Sequence, residues 1–400
     1  MIPIITDQIC TEEIFTRGIV AEILPSRAAL FEFLRSGKRL KIYLGADPTS
    51  GSLHLSHAKN YWFLEDLRQL GHEVIVLIGD FTARIGDPSD RQAVRPSLTP
   101  EQIKTNVDSW LAQLKLLLDF SDPKNPPRLS YNSAWLDQLT LKEIINLAAN
   151  FTVQQMLERD MFVKRLADHT PIHLHEFLYP MLQGYDSVAL EVNAELCGTD
   201  QIFNALAGRT LLKRLKNQEK FVIALNLLAN PKTGELMSKS RGTGVFLSAP
   251  PNEMYGAIMA EPDEMIEPLF INCTRLPLAD KEKIMSLGPR AAKARVTLEI
   301  VKKIYGAPAA QAAEKTFDQT FRAGGVPEDI LEINLSPAAD IVAALIVAGV
   351  IDSRSEWRRL IAEGAIRDET NQKITDPHFS PTTASVLKIG KHRFVKLSVK

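Results

Sequence analysis

The sequence predicts an α/β protein: a doubly wound parallel sheet, followed by a mostly helical domain and a small α+β unit. Three observations carry that prediction. They are a strand, helix, strand unit over 41–78, the same alternation as far as 228, and a loss of strand signals beyond Pro250.

Taken in order, KIYLG at 41–45 is strand-like, and Ala58, Tyr61, Leu64, Leu67 and Leu70 then recur at helical spacing. Gly71 is placed to close that helix. In EVIVLIGD the unbroken apolar run from Val74 to Ile78 suits a parallel strand covered on both faces. A helix over 101–118, a short strand over 128–131 and a helix over 140–150 follow, then a helix from near Gln201 and a buried strand in FVIALNLL at 221–228. The region 280–321 reads as helical, and RAGGVPEDILEINLSP at 322–337 has the Gly and Pro content of a linker. The expected divisions are 1–235 for the α/β domain, 236–325 for the helical domain, 326–336 for the linker and 337–400 for the last unit.

That last unit has its own signature. Ser353 three residues before Glu356 forms a capping box, and Gly364 supplies a stop, so a short helix carrying Arg354, Arg358 and Arg359 is expected. The final twenty residues contain Lys388, Lys391, Arg393, Lys396 and Lys400 and no acid. Apolar and basic residues alternate there, as in strands with one charged face. An isolated charge run is ordinarily a solvated surface, but helix and strands together point to a phosphate backbone as partner.

Composition sets limits. The 400 residues are 45% hydrophobic and 24% charged with a formal charge of -1, ordinary values for a globular protein. No apolar run approaches the ~18 residues of a membrane span, and Asp7, Glu12 and Glu13 fall where a secretory signal would lie, so a cytoplasmic protein without membrane association is expected. Cys10, Cys197 and Cys273 are too few and too widely spaced for a disulfide framework or a CxxC site.

The chemistry concentrates in four stretches. GADPTSGSLHLSHAKN, 45–60, places His54 and His57 where a strand hands over to a helix. Two histidines without a HExxH pattern or a Cys/His cluster are a weak metal site, whereas a helix start favours phosphate through its unpaired N–H groups and its dipole. The loop IGDFTARIGDPSDRQAVR, 78–95, follows the carboxyl end of a strand and delivers Arg91 and Arg95. GELMSKSRGTG, 234–244, sets Lys239 between two serines in a glycine-flanked loop suited to clamping a polyphosphate. In EFLYPMLQGYDS, 176–187, Tyr179, Gln183 and Asp186 share one helical face.

These motifs resemble a known family. HLSH at 54–57 is similar to the HIGH signature of class I aminoacyl-tRNA synthetases, and LMSKS at 236–240 to their KMSKS loop. Tyr179, Gln183 and Asp186, with Tyr43 before GADPT and GTDQ at 198–201, resemble the bacterial tyrosyl type, and the basic tail resembles the S4-like RNA-binding domain that ends those enzymes. The resemblance spans nearly the whole chain with its motifs in order. It implies a Rossmann-like catalytic domain, an α-helical tRNA-binding domain that follows the KMSKS-type loop, a homodimer, and tyrosine–tRNA ligation with ATP as substrate and Mg²⁺ accompanying the ATP.

The resemblance also implies residue roles. His54, His57 and Lys239 would be catalytic, meeting the phosphates, with Gly45, Asp47, Thr49 and Asp200 completing the ATP site and Asp200 on the ribose. Arg91 and Arg95 would join Lys239 at the departing pyrophosphate. Tyr43 and Asp186 would meet the phenol hydroxyl of tyrosine, Tyr179, Gln183 and Asp87 its ammonium, and Gln201 its carboxyl end. Arg354, Arg358, Arg359, Lys388, Lys391 and Arg393 would bind tRNA, and no protein-bound metal is expected. Apolar stripes at 111–118 and 147–157 are candidates for the dimer interface or for plain core. Two positions depart from the family pattern, Ser56 where HIGH has glycine and Leu236 where KMSKS begins with lysine. They leave a second reading open, a catalytically weakened paralogue acting as an RNA-binding protein.

Overall fold

A computed structural model describes residues 3–87, 98–237, 244–322, 331–335, 340–351, 353–368, 372–377, 379, 381, 385–390 and 393–399. The chain divides into two compact units, 1–310 and 311–400.

The first unit is organised by a six-stranded sheet of β1 (Val20–Leu24), β2 (Lys41–Ala46), β3 (Glu73–Ile78), β4 (Arg128–Tyr131), β5 (Ala194–Gly198) and β6 (Phe221–Leu225). Their spatial order is β1-β6-β5-β2-β3-β4, all parallel except β1, which runs antiparallel to β6. From β2 the chain winds outward through β3 and β4, then returns to place β5 and β6 on the other side. The crevice beyond the carboxyl ends of β2 and β5 is therefore the switch point at which open α/β sheets hold ligands. β2 and β3 form because their apolar residues are covered on both faces: Ile42, Val74, Ile75 and Val76 are essentially inaccessible.

The helix Leu55–Gln69 follows β2 and packs Ala58, Tyr61, Leu64 and Leu67 inward, and Gly71 (φ +96°) makes the left-handed turn into β3. The helices Leu178–Leu190 and Ile202–Lys216 approach closely, because a Cβ on Gly184 would lie 2.9 Å from the Gly208 backbone nitrogen. Beyond β6 the first unit is helical, including Pro251–Ala260, Ile266–Cys273 and Pro289–Tyr305.

The second unit has a four-stranded sheet of β7 (Leu331–Leu335), β8 (Ile366–Arg367), β9 (Ser385–Ile389) and β10 (Arg393–Val399), in the order β7-β10-β9-β8. Leu345, Trp357, Ile366, Leu387, Ile389, Val395 and Leu397 make its core. The helix Arg354–Ala362 begins with one half of the expected capping box, the Ser353 hydroxyl accepting from the Glu356 N–H, while the Glu356 carboxylate pairs with Arg393; Gly364 follows the helix at φ +64°. One expectation is corrected here. Leu331–Leu335 lies inside the stretch read as linker, yet it is a strand paired in parallel with β10. LEINL does alternate apolar and polar residues, with Leu335 buried and Ile333 packed on the core, but five residues of alternation beside a Gly- and Pro-rich stretch are outweighed by that stretch.

Candidate active site

A cavity of about 850 Å³ opens at the switch point. Its walls come from the turn after β2 (Gly45, Asp47, Thr49), the start of the Leu55–Gln69 helix (His54, Ser56, His57), the turn after β3 (Gly79, Thr82, Asp87), the face of Leu178–Leu190 (Tyr179, Gln183, Asp186) and the end of β5 (Glu195, Asp200, Gln201). Residues from four separate sequence stretches thus meet in one space. Met237 and Leu236 also line it.

At the end of the cavity formed by the start of Leu55–Gln69, His54 is the residue that caps the helix. The Nδ1 atom of His57 accepts a hydrogen bond from the His54 backbone N–H at 3.3 Å, and the two rings lie 4.0 Å apart. Burial lowers the pKa of His54 to about 4 and that of His57 to about 3, so both rings are neutral at physiological pH. With Nδ1 of His57 accepting, its proton resides on Nε2, which makes the ring a hydrogen-bond donor. Among the described residues no group of three or more His, Cys, Asp or Glu is arranged to hold a metal ion. Lys239 and the arginines Arg91 and Arg95 lie outside the described residues. The flanks of the Lys239 segment are tied down beside the cavity: Met237 N–H donates to Leu228 O at 3.1 Å, and Leu55 N–H to Val245 O at 3.0 Å.

The opposite end is a connected set of polar side chains. The Asp47 carboxylate accepts from the Thr82 hydroxyl at 2.6 Å and from the Tyr179 hydroxyl at 3.0 Å, and burial raises its pKa to about 7. A Cβ on Gly79 would collide with that carboxylate, which is why the turn after β3 carries glycine. Asp186 accepts from the Trp135 indole N–H at 2.8 Å, and burial pushes its carboxyl well above the usual range. Gln201 donates to Asp87 at 2.6 Å.

Tyr43 is placed differently from the other residues expected around tyrosine. It does not line the cavity but is fully buried beneath it, packed with Ile75, Leu77, Leu190 and Val192. Its hydroxyl lies 3.0 Å from Ser187 Oγ. Thr82, Asn132, Trp135, Glu195 and Asn204 were not anticipated from sequence. Each is an ordinary residue type outside the recognised motifs, so only its neighbours reveal it.

In the second unit the basic residues are less free than their sequence suggested. Arg354 pairs with Asp340, Arg393 with Glu356 at 2.9 Å and Lys396 with Glu332 at 3.4 Å. Arg359 is 3.6 Å from Glu363, and the Lys388 ammonium lies 5.6 Å from the Phe394 ring centroid. Arg358 is exposed, and Lys391 lies outside the described residues.

Comparison with known proteins defines the class first: residues 35–322 match the family described as tRNA synthetases class I (W and Y). Tyrosine–tRNA ligases from Moorella thermoacetica and Shewanella oneidensis are 39% and 38% identical to the chain, covering 96% and 98% of it and 94% and 99% of their own lengths. The fold is shared with a C-terminally truncated mitochondrial tyrosyl-tRNA synthetase from Aspergillus nidulans (TM-score 0.66, 24% identity, 79% of this chain and 97% of that one). It is shared too with a tyrosyl-tRNA synthetase complexed with L-tyrosine from Archaeoglobus fulgidus (TM-score 0.58, 20% identity, 76% and 98%). The chain belongs to the tyrosine–tRNA ligases of class I, and ATP is a substrate of that class. These relationships support the ligase reading and not that of an RNA-binding paralogue.

Proposed function

We propose that the cavity performs tyrosine activation in its usual two stages: tyrosine and ATP give tyrosyl adenylate and pyrophosphate, and the tyrosyl group then passes to the 3' end of tRNA(Tyr). The tyrosine carboxylate is itself the nucleophile, so the first stage requires alignment and charge stabilisation and no side-chain base. Neutral His54 and His57 at a helix start suit that need as donors toward the phosphates. Thr49 adds a hydroxyl, Asp200 takes the ribose, Gly45 lets the nucleotide approach, and Lys239, Arg91 and Arg95 meet pyrophosphate. Magnesium enters on the ATP phosphates, as part of the substrate.

At the other end Asp186 takes the phenol hydroxyl, with Tyr43 behind it. Tyr179, Gln183 and Asp87 receive the ammonium, and Gln201 lies near the carboxyl end. The observation that carries this reading is the convergence of HLSH, the 179–186 helix face and GTDQ on one cavity.

The second unit is assigned to tRNA as an S4-like domain, with Arg354, Arg358, Arg359, Lys388, Lys391 and Arg393 as its phosphate contacts. A homodimer is proposed on exposed apolar side chains of successive helices: Leu141, Ile145, Val153, Val163, Leu166 and Leu174 are all more than half exposed. Of the stripes singled out from sequence, Val153 belongs to that exposed set, whereas Leu114, Leu117, Leu118 and Leu147 are core. A cytoplasmic location fits this role, and among the described residues no helix is long and apolar enough to cross a membrane.

Tyrosine-dependent exchange of pyrophosphate into ATP tests the chemistry, and exchange with tyrosine but not tryptophan is the expected result. Absence of exchange by folded protein, or preference for tryptophan, overturns it.

A further inference from the structure

Behind the cavity wall lies a buried ion pair that no step above uses. Lys220, immediately before β6, is wholly inaccessible, and its ammonium pairs with the carboxylate of Glu195 on β5, itself only 2% exposed. Glu195 reaches the cavity wall. It is the cross-strand neighbour of Tyr43 on β2, and the Lys220 ammonium also donates to Ser187 Oγ at 2.8 Å. A Cβ on Gly208 would lie 2.5 Å from the ammonium and 2.6 Å from Ser187 Oγ, so the chain leaves room for this arrangement.

The pair is wired to the amino-acid end of the cavity. Gln183 donates its Nε2 to Glu195 Oε1 at 3.0 Å. Asn204 then donates its Nδ2 to Gln183 Oε1 at 3.0 Å and to Gln201 Oε1 at 2.8 Å, and Gln201 donates to Asp87. A glutamine amide has a donor end and an acceptor end, and either can face a given neighbour. An ionised carboxylate can only accept, so Glu195 fixes the Nε2 end of Gln183 toward itself. The Lys220 ammonium holds that carboxylate by its other oxygen, Oε2, which leaves Oε1 turned toward Gln183.

We infer that Lys220 and Glu195 are positioning residues for substrate recognition: by fixing the amide orientation of Gln183, they present its oxygen to the ammonium group of tyrosine. This rests on the assignment of Gln183 to the ammonium. Asn204 holds the same oxygen from the other side. The two carboxylates at the ends of the chain, Glu195 and Asp87, both draw amide donors outward, so the acceptor oxygens of both glutamines lie in the middle of it.

The test uses two probes that differ at the ammonium: tyramine, which keeps it, and 3-(4-hydroxyphenyl)propionate, which lacks it. In the full-length protein the double substitution Lys220→Met/Glu195→Gln removes both charges together and gives Gln183 a partner that can donate. Tyramine and tyrosine are expected to bind roughly tenfold or more weakly, the scale of a hydrogen bond to a charged group, with hydroxyphenylpropionate and ATP binding unchanged. Asn204→Asp provides a second route, because an acceptor there pulls the Gln183 donor end away from Glu195, and the same split is expected. Equal weakening of both probes would mean a merely structural role and overturns the inference, as does unchanged tyramine binding. Gln183→Ala is the control for the underlying assignment. If it leaves tyramine binding intact, the assignment itself fails; if it weakens tyramine while the other two variants do not, only the positioning role fails.

Discussion

The two ends of the cavity are built on opposite plans. At the end lined by the Leu178–Leu190 helix, Asp47, Asp186, Gln183 and Gln201 each have side-chain partners, forming a network settled before any ligand arrives. At the end formed by the start of the Leu55–Gln69 helix, His54 Nδ1 has no partner among the described residues, and Lys59, 2% exposed, donates to its neighbour Asn60 at 2.8 Å. The difference teaches where each kind of selectivity is stored. On the assignment proposed above, the amino acid is read by groups locked in place, whereas the polyphosphate is met by donors whose capacity is still unspent.

The largest effect should come from breaking the locked end. Lys220→Met alone leaves Glu195 as an unpaired buried charge, which costs about 3–5 kcal/mol when one member of such a pair is removed. Urea unfolding of the first unit should show that loss, and adding Glu195→Gln should restore most of it. Equal stability of the single and double variants would show that the pair is not coupled.

Next come the unspent donors. His54→Ala and His57→Ala should each slow adenylate formation by roughly tenfold to a hundredfold, near the lower end of what an oriented transition-state donor contributes. Tyrosine affinity, measured by equilibrium dialysis, should not change. A parallel loss of tyrosine binding would show that the two ends are not separable.

The same histidines give a pH signature. Both are held by burial below the ordinary value of about 6.5, at about 4 for His54 and about 3 for His57. Between those values the unfolded chain binds more protons than the folded one. Their contribution to stability is therefore present above about pH 6.5 and lost as pH falls toward 4. Thermal melts from pH 7 to 5 should fall more steeply for the native chain than for His54→Gln/His57→Gln. Superimposable slopes would contradict neutral, buried rings.

The smallest expected effect lies in the second unit. Arg358 is exposed and has no ion-pair partner among the described residues, whereas Lys396 already faces Glu332. Arg358→Ala should lower tRNA affinity a few-fold and reduce the salt slope by about one, and Lys396→Ala should do less because an ion pair must first be exchanged. Filter binding across a salt series measures both.

How much of this was legible beforehand depended on whether a residue's signal was its own. The β2, helix, β3 unit was readable because Val74 to Ile78 is apolar throughout and the helix keeps its spacing. The strand β5 was not, because AELCG is short and contains Glu195, whose partner Lys220 lies a strand away. In β7 the Gly and Pro content upstream outweighed five residues of mixed polarity, and pairing with a strand some sixty residues later leaves no local trace. The basic tail looked wholly unopposed because its acids, Glu332 and Glu356, come from other elements. In the site, the histidines and the 179–186 face announced themselves by spacing. Residues that act through another side chain, Asn204 above all, had no pattern to announce.

The glycine contact between the helices Leu178–Leu190 and Ile202–Lys216 has a bearing on how this pocket can change. One helix carries Tyr179, Gln183 and Asp186, and the other follows directly from Gln201 and carries Asn204, so their separation acts as a caliper on how Asn204 meets Gln183. Gly184 and Gly208 set that caliper near its closed limit. A side chain larger than hydrogen at either glycine would spread the helices and loosen the Asn204–Gln183 contact, although neither glycine lines the cavity.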